Sequence, residues 1–266
     1  MSIRWLLCPV LLAASLVVAI PGQAMACGGS ADLNDVEQYC YYPPHEVKSM
    51  YATGAAEQYR YRISPACDVG GQVTCNQPAE CADPPGSHKF DVWRSPESPI
   101  AWEVIGWTCL TDADAGELGA LTPGMVRSAF RRLQWPAAEL SVQPPDGETL
   151  VNLDTNFFTT LTDASTQTVT LVGITVEIEA TPQEYHWHFG DGADQSTTSP
   201  GAAYPHLEIT HAYLRKGEVG ASVDVVYGGR YRIGGSGGWT DIPGTLTVPG
   251  TAVGLTVLEA RPQLVG

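Results

Sequence analysis

Residues 185 to 192 read Tyr-His-Trp-His-Phe-Gly-Asp-Gly, and His-Ala-Tyr follows at 211 to 213. Successive side chains of an extended strand point to opposite faces, so Tyr185, Trp187 and Phe189 share one side and His186 and His188 share the other. Gly190, Asp191 and Gly192 then close the strand. Glycine takes positive φ without steric cost, and an Asp side chain accepts from a backbone amide two residues on. Upstream, Ile174, Val176 and Ile178 alternate with Thr175, Glu177 and Glu179. Downstream, Val219, Ala221, Val223, Val225 and Tyr227 repeat that period, and both runs read as strands with one buried face. Pro182 is read as lying in a turn that separates the 174–180 strand from the strand of Trp187.

Over roughly residues 169 to 259 these features resemble a polycystic-kidney-disease (PKD) repeat. The resemblance implies a mainly β protein with a C-terminal immunoglobulin-like (PKD-type) β-sandwich. Its motif falls here on Tyr185, Trp187, Phe189, Gly190, Asp191, Gly192, His211 and Tyr213, with Trp187 as the core anchor spanning two sheets and Tyr213 as a tyrosine corner. It also implies a secreted or cell-surface protein that binds or spaces. His188 stands where such repeats usually carry an acidic residue, and the interval 193 to 210 is longer than usual and carries no cysteine. Asp191 is read as a turn residue, because Ca²⁺ takes about six to eight oxygen ligands and no second carboxylate is nearer than Asp194. The layout as a whole is similar to that of a group of secreted bacterial proteins.

The N-terminus agrees with export. Arg4 precedes an apolar run from Trp5 to Ile20, Pro21 and Gly22 break it, and Ala24-Met25-Ala26 presents the small residues of a signal-peptidase site. Residues 1–26 are therefore expected to be a removed signal peptide, which leaves no transmembrane helix in the mature chain. Cys27 then opens the mature chain, either as a disulfide partner or as the site of a lipid anchor. After loss of Cys8, Cys27, Cys40, Cys67, Cys75, Cys81 and Cys109 remain, an even set suited to disulfides in an oxidising compartment. Cys27 with Cys40 is one expected bridge if Cys27 is unlipidated, and connectivity among the other four is open.

All six lie before residue 110, whereas the PKD-like features lie after 165, and this asymmetry divides the chain. Residues 27–112 read as a loop-rich, Cys- and Tyr-rich segment with short strands near 57–63 and 100–110. Its tyrosines, Tyr39, Tyr41, Tyr42, Tyr51, Tyr59 and Tyr61, form either the core of a small disulfide module or a stacking platform for sugar rings. Residues 113–149 read as a linker with one short helix at about 122–134, begun by Thr122 as N-cap and Pro123 as first residue and stopped by Pro136. Residues 150–266 are assigned to the sandwich.

Asp and Glu outnumber Lys and Arg 29 to 14, for a formal net charge of −15. That balance repels phosphate backbones, so nucleic acid is excluded as a partner, and the PKD resemblance implies an extracellular protein or polysaccharide instead. Chemistry is sparse. GGSGG at 234–238 formally matches Gly-x-Ser-x-Gly, but Trp239, Thr240, Asp241 and Pro243 cannot begin the helix that a nucleophile elbow requires after Ser236. His186 and His188 share a strand face and would need a third ligand such as Glu184, His206 or His211 to hold zinc. Asp112 and Asp114 read as carboxylates of a solvated acidic turn. The reading is therefore a non-catalytic, extracytoplasmic binding or spacer module with no cofactor and no metal. A hydrolase or metal-dependent enzyme using Ser236 or the His186/His188 pair is the alternative.

Overall fold

The computed structural model describes residues 27–29, 38–54, 58–66 and 79–260. The expected signal peptide, Cys67, Cys75 and the side chain of Cys27 lie outside the described residues. The protein is mainly β, with several sheets. No helix among the described residues is long and apolar enough to cross a membrane.

The first half comprises β1 (Cys27–Gly29), β2 (Gln38–Tyr41), α1 (Pro44–Thr53), β3 (Tyr59–Pro65), β4 (His88–Pro96) and β5 (Glu103–Leu110). Its strands form one sheet in the order β1-β2-β5-β4-β3, antiparallel except for β2 beside β5. One face is apolar: Phe90, Val92 and Leu110 are fully buried, and Ile63 packs with Phe90 and Leu110 against Ala115 and Leu118. A second helix, α2 (Asp112–Glu117), closes that face.

The expectation of one helix is corrected here. Pro43-Pro44 reads as loop, yet proline at the first helical position carries the right φ and lacks only an amide that would have been unpaired, so α1 starts at Pro44. Asp112 and Asp114 belong to α2 and are not a solvated turn. Lys48 of α1 reaches Asp114 and Glu117 at 2.7 Å each. The hydrogen bond from Lys48, and then that from Thr111, hold the Asp114 carboxyl below its ordinary range.

Cys81 is bonded to Cys109, closing a loop of sequence separation 28. By loop-closure entropy such a bridge contributes about 3 to 4 kcal/mol. Cys40 is also disulfide-bonded, and its Cα is paired across the β1/β2 ladder with that of Cys27.

The second half contains α3 (Pro123–Arg132), β6 (Ser141–Gln143), β7 (Glu148–Leu150), β8 (Asp154–Phe158), β9 (Ser165–Leu171), β10 (Ile174–His188), β11 (Asp194–Thr197), β12 (Thr210–Ala212), β13 (Gly217–Ile233), β14 (Thr240–Val248) and β15 (Val253–Leu258). One sheet has the order β11-β10-β13-β15-β7, with β9 added along the first part of β10 and β14 along the later part of β13. The other has the order β12-β8-β6. Their inner faces share one core, in which Phe157 of β8 meets Phe189 edge-on at 5.0 Å. Two sheets around one core are an arrangement of the β-sandwich kind.

Pro182 does not make a turn. β10 runs unbroken from Ile174 to His188, and its pairing with β13 shifts between Pro182 and Glu184. Proline cannot donate to a ladder, and a bulge tolerates that loss while inserting one extra residue. The insertion explains a change of parity: Val176, Ile178 and Ala180 are buried before it, and Tyr185 and Trp187 after it. Without the bulge one of these sets would face solvent.

Thr122 caps α3 by accepting from the Met125 amide at 3.2 Å. The helix packs on the second half, where Val126, Ala129 and Phe130 join the core. Phe130 occupies the space a side chain at Gly229 would need, since a Cβ there would lie 2.9 Å from its ring. The chain after the helix is tied down as well. Tyr227 donates to the Pro136 carbonyl at 2.8 Å and Gln167 to that of Gln134 at 2.7 Å. Within the stretch read as linker, β6 pairs with β8 and β7 with β15, so these residues are part of the C-terminal sheets.

Candidate functional site

β10 places the motif residues in two groups. On the inner face Tyr185, Trp187 and Phe189 are 3%, 1% and 3% exposed, and the Trp187 indole donates to Thr197 Oγ1 at 2.8 Å. The strand then ends in a tight turn closed by the Phe189 amide donating to the Ala193 carbonyl at 3.1 Å. Asp191 sits in this turn and accepts from the Ala193 amide at 3.1 Å.

The second part of the motif folds back on the first. His211 stacks flat on Phe189 at 4.3 Å, and its Nε2 lies 2.8 Å from Asp191 Oδ2. Tyr213, fully buried, donates to the Phe189 carbonyl at 2.9 Å. Burial, followed by the Asp191 charge, pushes the Tyr213 hydroxyl up to about 12. Burial alone would raise the Asp191 carboxyl, but the hydrogen bonds from His211 and Ala193 outweigh it and hold the group below its ordinary value. An Asp–His pair is two-thirds of a hydrolytic triad. Here both groups serve the turn, and among the described residues no hydroxyl or thiol hydrogen-bonds the other nitrogen of His211.

On the outer face His188 stands between two carboxylates. Its Nδ1 is 2.8 Å from Asp194 Oδ1 on β11, and its Nε2 is 3.2 Å from Asp224 Oδ2 on β13. Asp224 also accepts from the Gly250 amide at 3.0 Å. His188 therefore links three strands and the turn after β14, with neither ring nitrogen left for a metal. His186 faces Glu184 at 3.2 Å. Among the described residues no group of three His, Cys, Asp or Glu side chains converges on a point where a metal ion would sit.

The Asp194 hydrogen bond raises the His188 pKa; burial opposes this and Asp224 adds to the rise. A folded-state pKa above the unfolded value gives stability that is fully present below about pH 6.5 and is lost as pH rises through the folded pKa. The melting-temperature gap between wild type and His188→Ala is therefore expected to be widest near pH 5.5 and to shrink above neutrality. Because the ring is 41% exposed, the effect at neutral pH is expected below about 1 kcal/mol. A gap that widens with pH in scans from pH 5 to 9 would refute the assignment.

Ser236 lies in the exposed hairpin between β13 and β14, with Gly234, Gly235 and Gly237 at positive φ. The nine steps from Asp224 to Ile233 put that hairpin roughly 30 Å along β13 from the histidines, at about 3.3 Å per step. Ser236 and the His pair cannot act together. Beside the hairpin, Trp239 covers Arg230 and Arg232 at 4.8 and 4.6 Å, and these arginines pair with Glu179 and Glu177. This ladder covers the outer face of the sheet.

In the N-terminal half the five tyrosines whose side chains are described do not form a common platform. Tyr42 packs over Gly106, where a Cβ would come within 2.6 Å of its ring, and Tyr61 packs against Gly54. Burial, partly offset by its bond to the Ile63 backbone, pushes the Tyr51 hydroxyl up to about 12. Tyr59 lies under the Arg94 guanidinium at 5.0 Å, and the side chain of Tyr39 lies outside the described residues. Among those five only Tyr41 lies beside a further aromatic face, which the sequence does not announce.

That face carries tryptophans. Trp107 pairs across from Tyr41 of β2 and Asp91 of β4. Its ring meets Tyr41 at 4.8 Å, while Lys89 Nζ lies 4.9 Å from it. Further along, Arg62 lies over both Trp93 and Trp102, at 4.8 and 4.4 Å, and Trp93 donates to Ser64 Oγ at 2.8 Å. All four rings are half-exposed on the side opposite Phe90 and Val92. The available signal was Trp107 lying out of phase with the buried Thr108 and Leu110. At the Tyr41 and Trp107 end a cleft of about 590 Å³ opens, lined also by Glu80, Asp83, Lys89 and the Cys81–Cys109 bridge.

No family model and no curated protein matches the chain.

Proposed function

We propose that this protein is an exported, non-catalytic binding or spacer module whose C-terminal half is a PKD-type, immunoglobulin-like sandwich. One observation carries the reading: the polar groups that the motif makes conspicuous are consumed in holding strands together. His188 bridges Asp194 and Asp224, His211 braces the turn of Asp191, and Tyr213 is bonded to the Phe189 carbonyl. The PKD assignment is supported by the buried Trp187 on a central strand and by the tyrosine hydroxyl tied back to a neighbouring strand end. Secretion, with removal of residues 1–26 or lipidation of Cys27, rests on the leader sequence. The partner class is an extracellular protein or polysaccharide.

The test compares wild type with Ser236→Ala and His186→Ala in esterase, peptidase and glycosidase assays, with metal content measured on the same samples. No turnover above buffer is expected, and no stoichiometric metal. Turnover abolished by either substitution would overturn the proposal and establish the enzyme alternative.

A further inference from the structure

We infer that the cleft beside the packed Tyr41–Trp107 pair binds a neutral polysaccharide, which deepens the binding-module reading and rests on it. Size argues first. A volume of about 590 Å³ falls in the range of roughly 300 to 1,000 Å³ that takes small ligands or short chain segments, and a folded protein partner needs a broad surface instead.

The wall chemistry then narrows the class. Tyr41 and Trp107, packed against each other at 4.8 Å, supply an apolar aromatic surface, while Lys89, Glu80 and Asp83 supply a cation and two carboxylates around it. A ligand matching this has an apolar face and a polar edge, as a pyranose ring does. A purely apolar ligand would displace water from the half-buried Lys89 and from the rim carboxylates without replacing its hydrogen bonds. The sign of the charge decides between neutral and acidic sugars. Lys89 is already engaged with the Trp107 ring, two carboxylates stand on the rim, and the chain carries a net charge of −15, so a polyuronate is repelled. The Cys81–Cys109 bridge fixes one wall to β5, which holds the cleft in shape before a ligand arrives.

Affinity electrophoresis of the full exported chain tests this, in gels carrying hydroxyethylcellulose, galactomannan or glycogen, and in parallel gels carrying polygalacturonate. Retardation by at least one neutral polymer is expected, with none by polygalacturonate. Trp107→Ala should weaken the binding by about tenfold or more, and Trp107→Phe should restore part of it. Trp239→Ala, in the other half of the chain, should leave it unchanged. Should Trp107→Ala lose its cooperative melt, Tyr41→Ala carries the same expectation. Wild-type tryptophan fluorescence should also change on addition of the retarding polymer.

Mobility unaffected by every neutral polymer, retardation by polygalacturonate alone, or retardation indifferent to both substitutions would overturn the inference. Capture of a protein through this cleft in place of a glycan would do the same. None of these results would touch the non-catalytic reading, which is decided by the turnover assays.

Discussion

Trp187→Ala is expected to destabilise the C-terminal half by about 3 to 5 kcal/mol. The side chain is 1% exposed and lies in the core shared by the two sheets, so its removal leaves a void that β10 cannot collapse to fill. The indole also donates to Thr197 Oγ1, which in turn donates to the Ser199 carbonyl, so the loop after β11 loses its anchor as well. Trp187→Phe keeps most of the volume and should cost clearly less. Urea melts of the full chain, followed by far-ultraviolet circular dichroism, measure the difference. A loss for Trp187→Ala no greater than that for His188→Ala would contradict the strand's inward and outward faces.

Gly190→Ala is expected to be nearly as damaging although it adds one methyl group. Gly190 has φ +84, and a Cβ built there would lie 2.4 Å from the Gly220 carbonyl oxygen and 2.7 Å from its nitrogen. Those are backbone atoms of β13, which no rotamer change can move. The left-handed conformation costs an L-residue about 1 to 2 kcal/mol and the overlap adds about 1 to 3, giving about 2 to 5 in total. Gly192 provides the control. It has φ +96 with nothing within 4 Å of an added Cβ, so Gly192→Ala should cost only the conformational part. Equal denaturation midpoints for the two variants would show that the close approach of Gly190 to β13 does not limit stability.

Where alternation was uninterrupted, the sequence made the structure legible. Trp187 and the Val219 to Tyr227 run announced their buried faces because strand geometry repeats every two residues and needs no partner to be recognised. Thr122-Pro123 likewise announced the start of α3 by local capping chemistry. Pro182 reads as a turn from sequence because a bulge and a turn use the same residue, and only the pairing of β10 with β13 distinguishes them. Pro43-Pro44 hid α1 for a similar reason, since proline both begins helices and fills loops. The Tyr41–Trp107 cleft was not visible at all. Its two rings are 66 positions apart and meet only because β2 lies beside β5.

The parallel pair of β7 and β15 has a mechanical consequence. Thr256 donates to the Gly147 carbonyl and Val151 to that of Leu258, so an early strand of the C-terminal half is bonded lengthwise to its last strand. Tension applied between Glu148 and the C-terminal tail pulls these two strands in opposite directions along their axes. The bonds between them lie across the pull, and they must yield together where a hairpin would unzip one rung at a time. Resistance to such a load is a matter of unfolding rate more than of equilibrium stability. A load that reaches β7 and β15 from their outer ends is borne by this short ladder all at once.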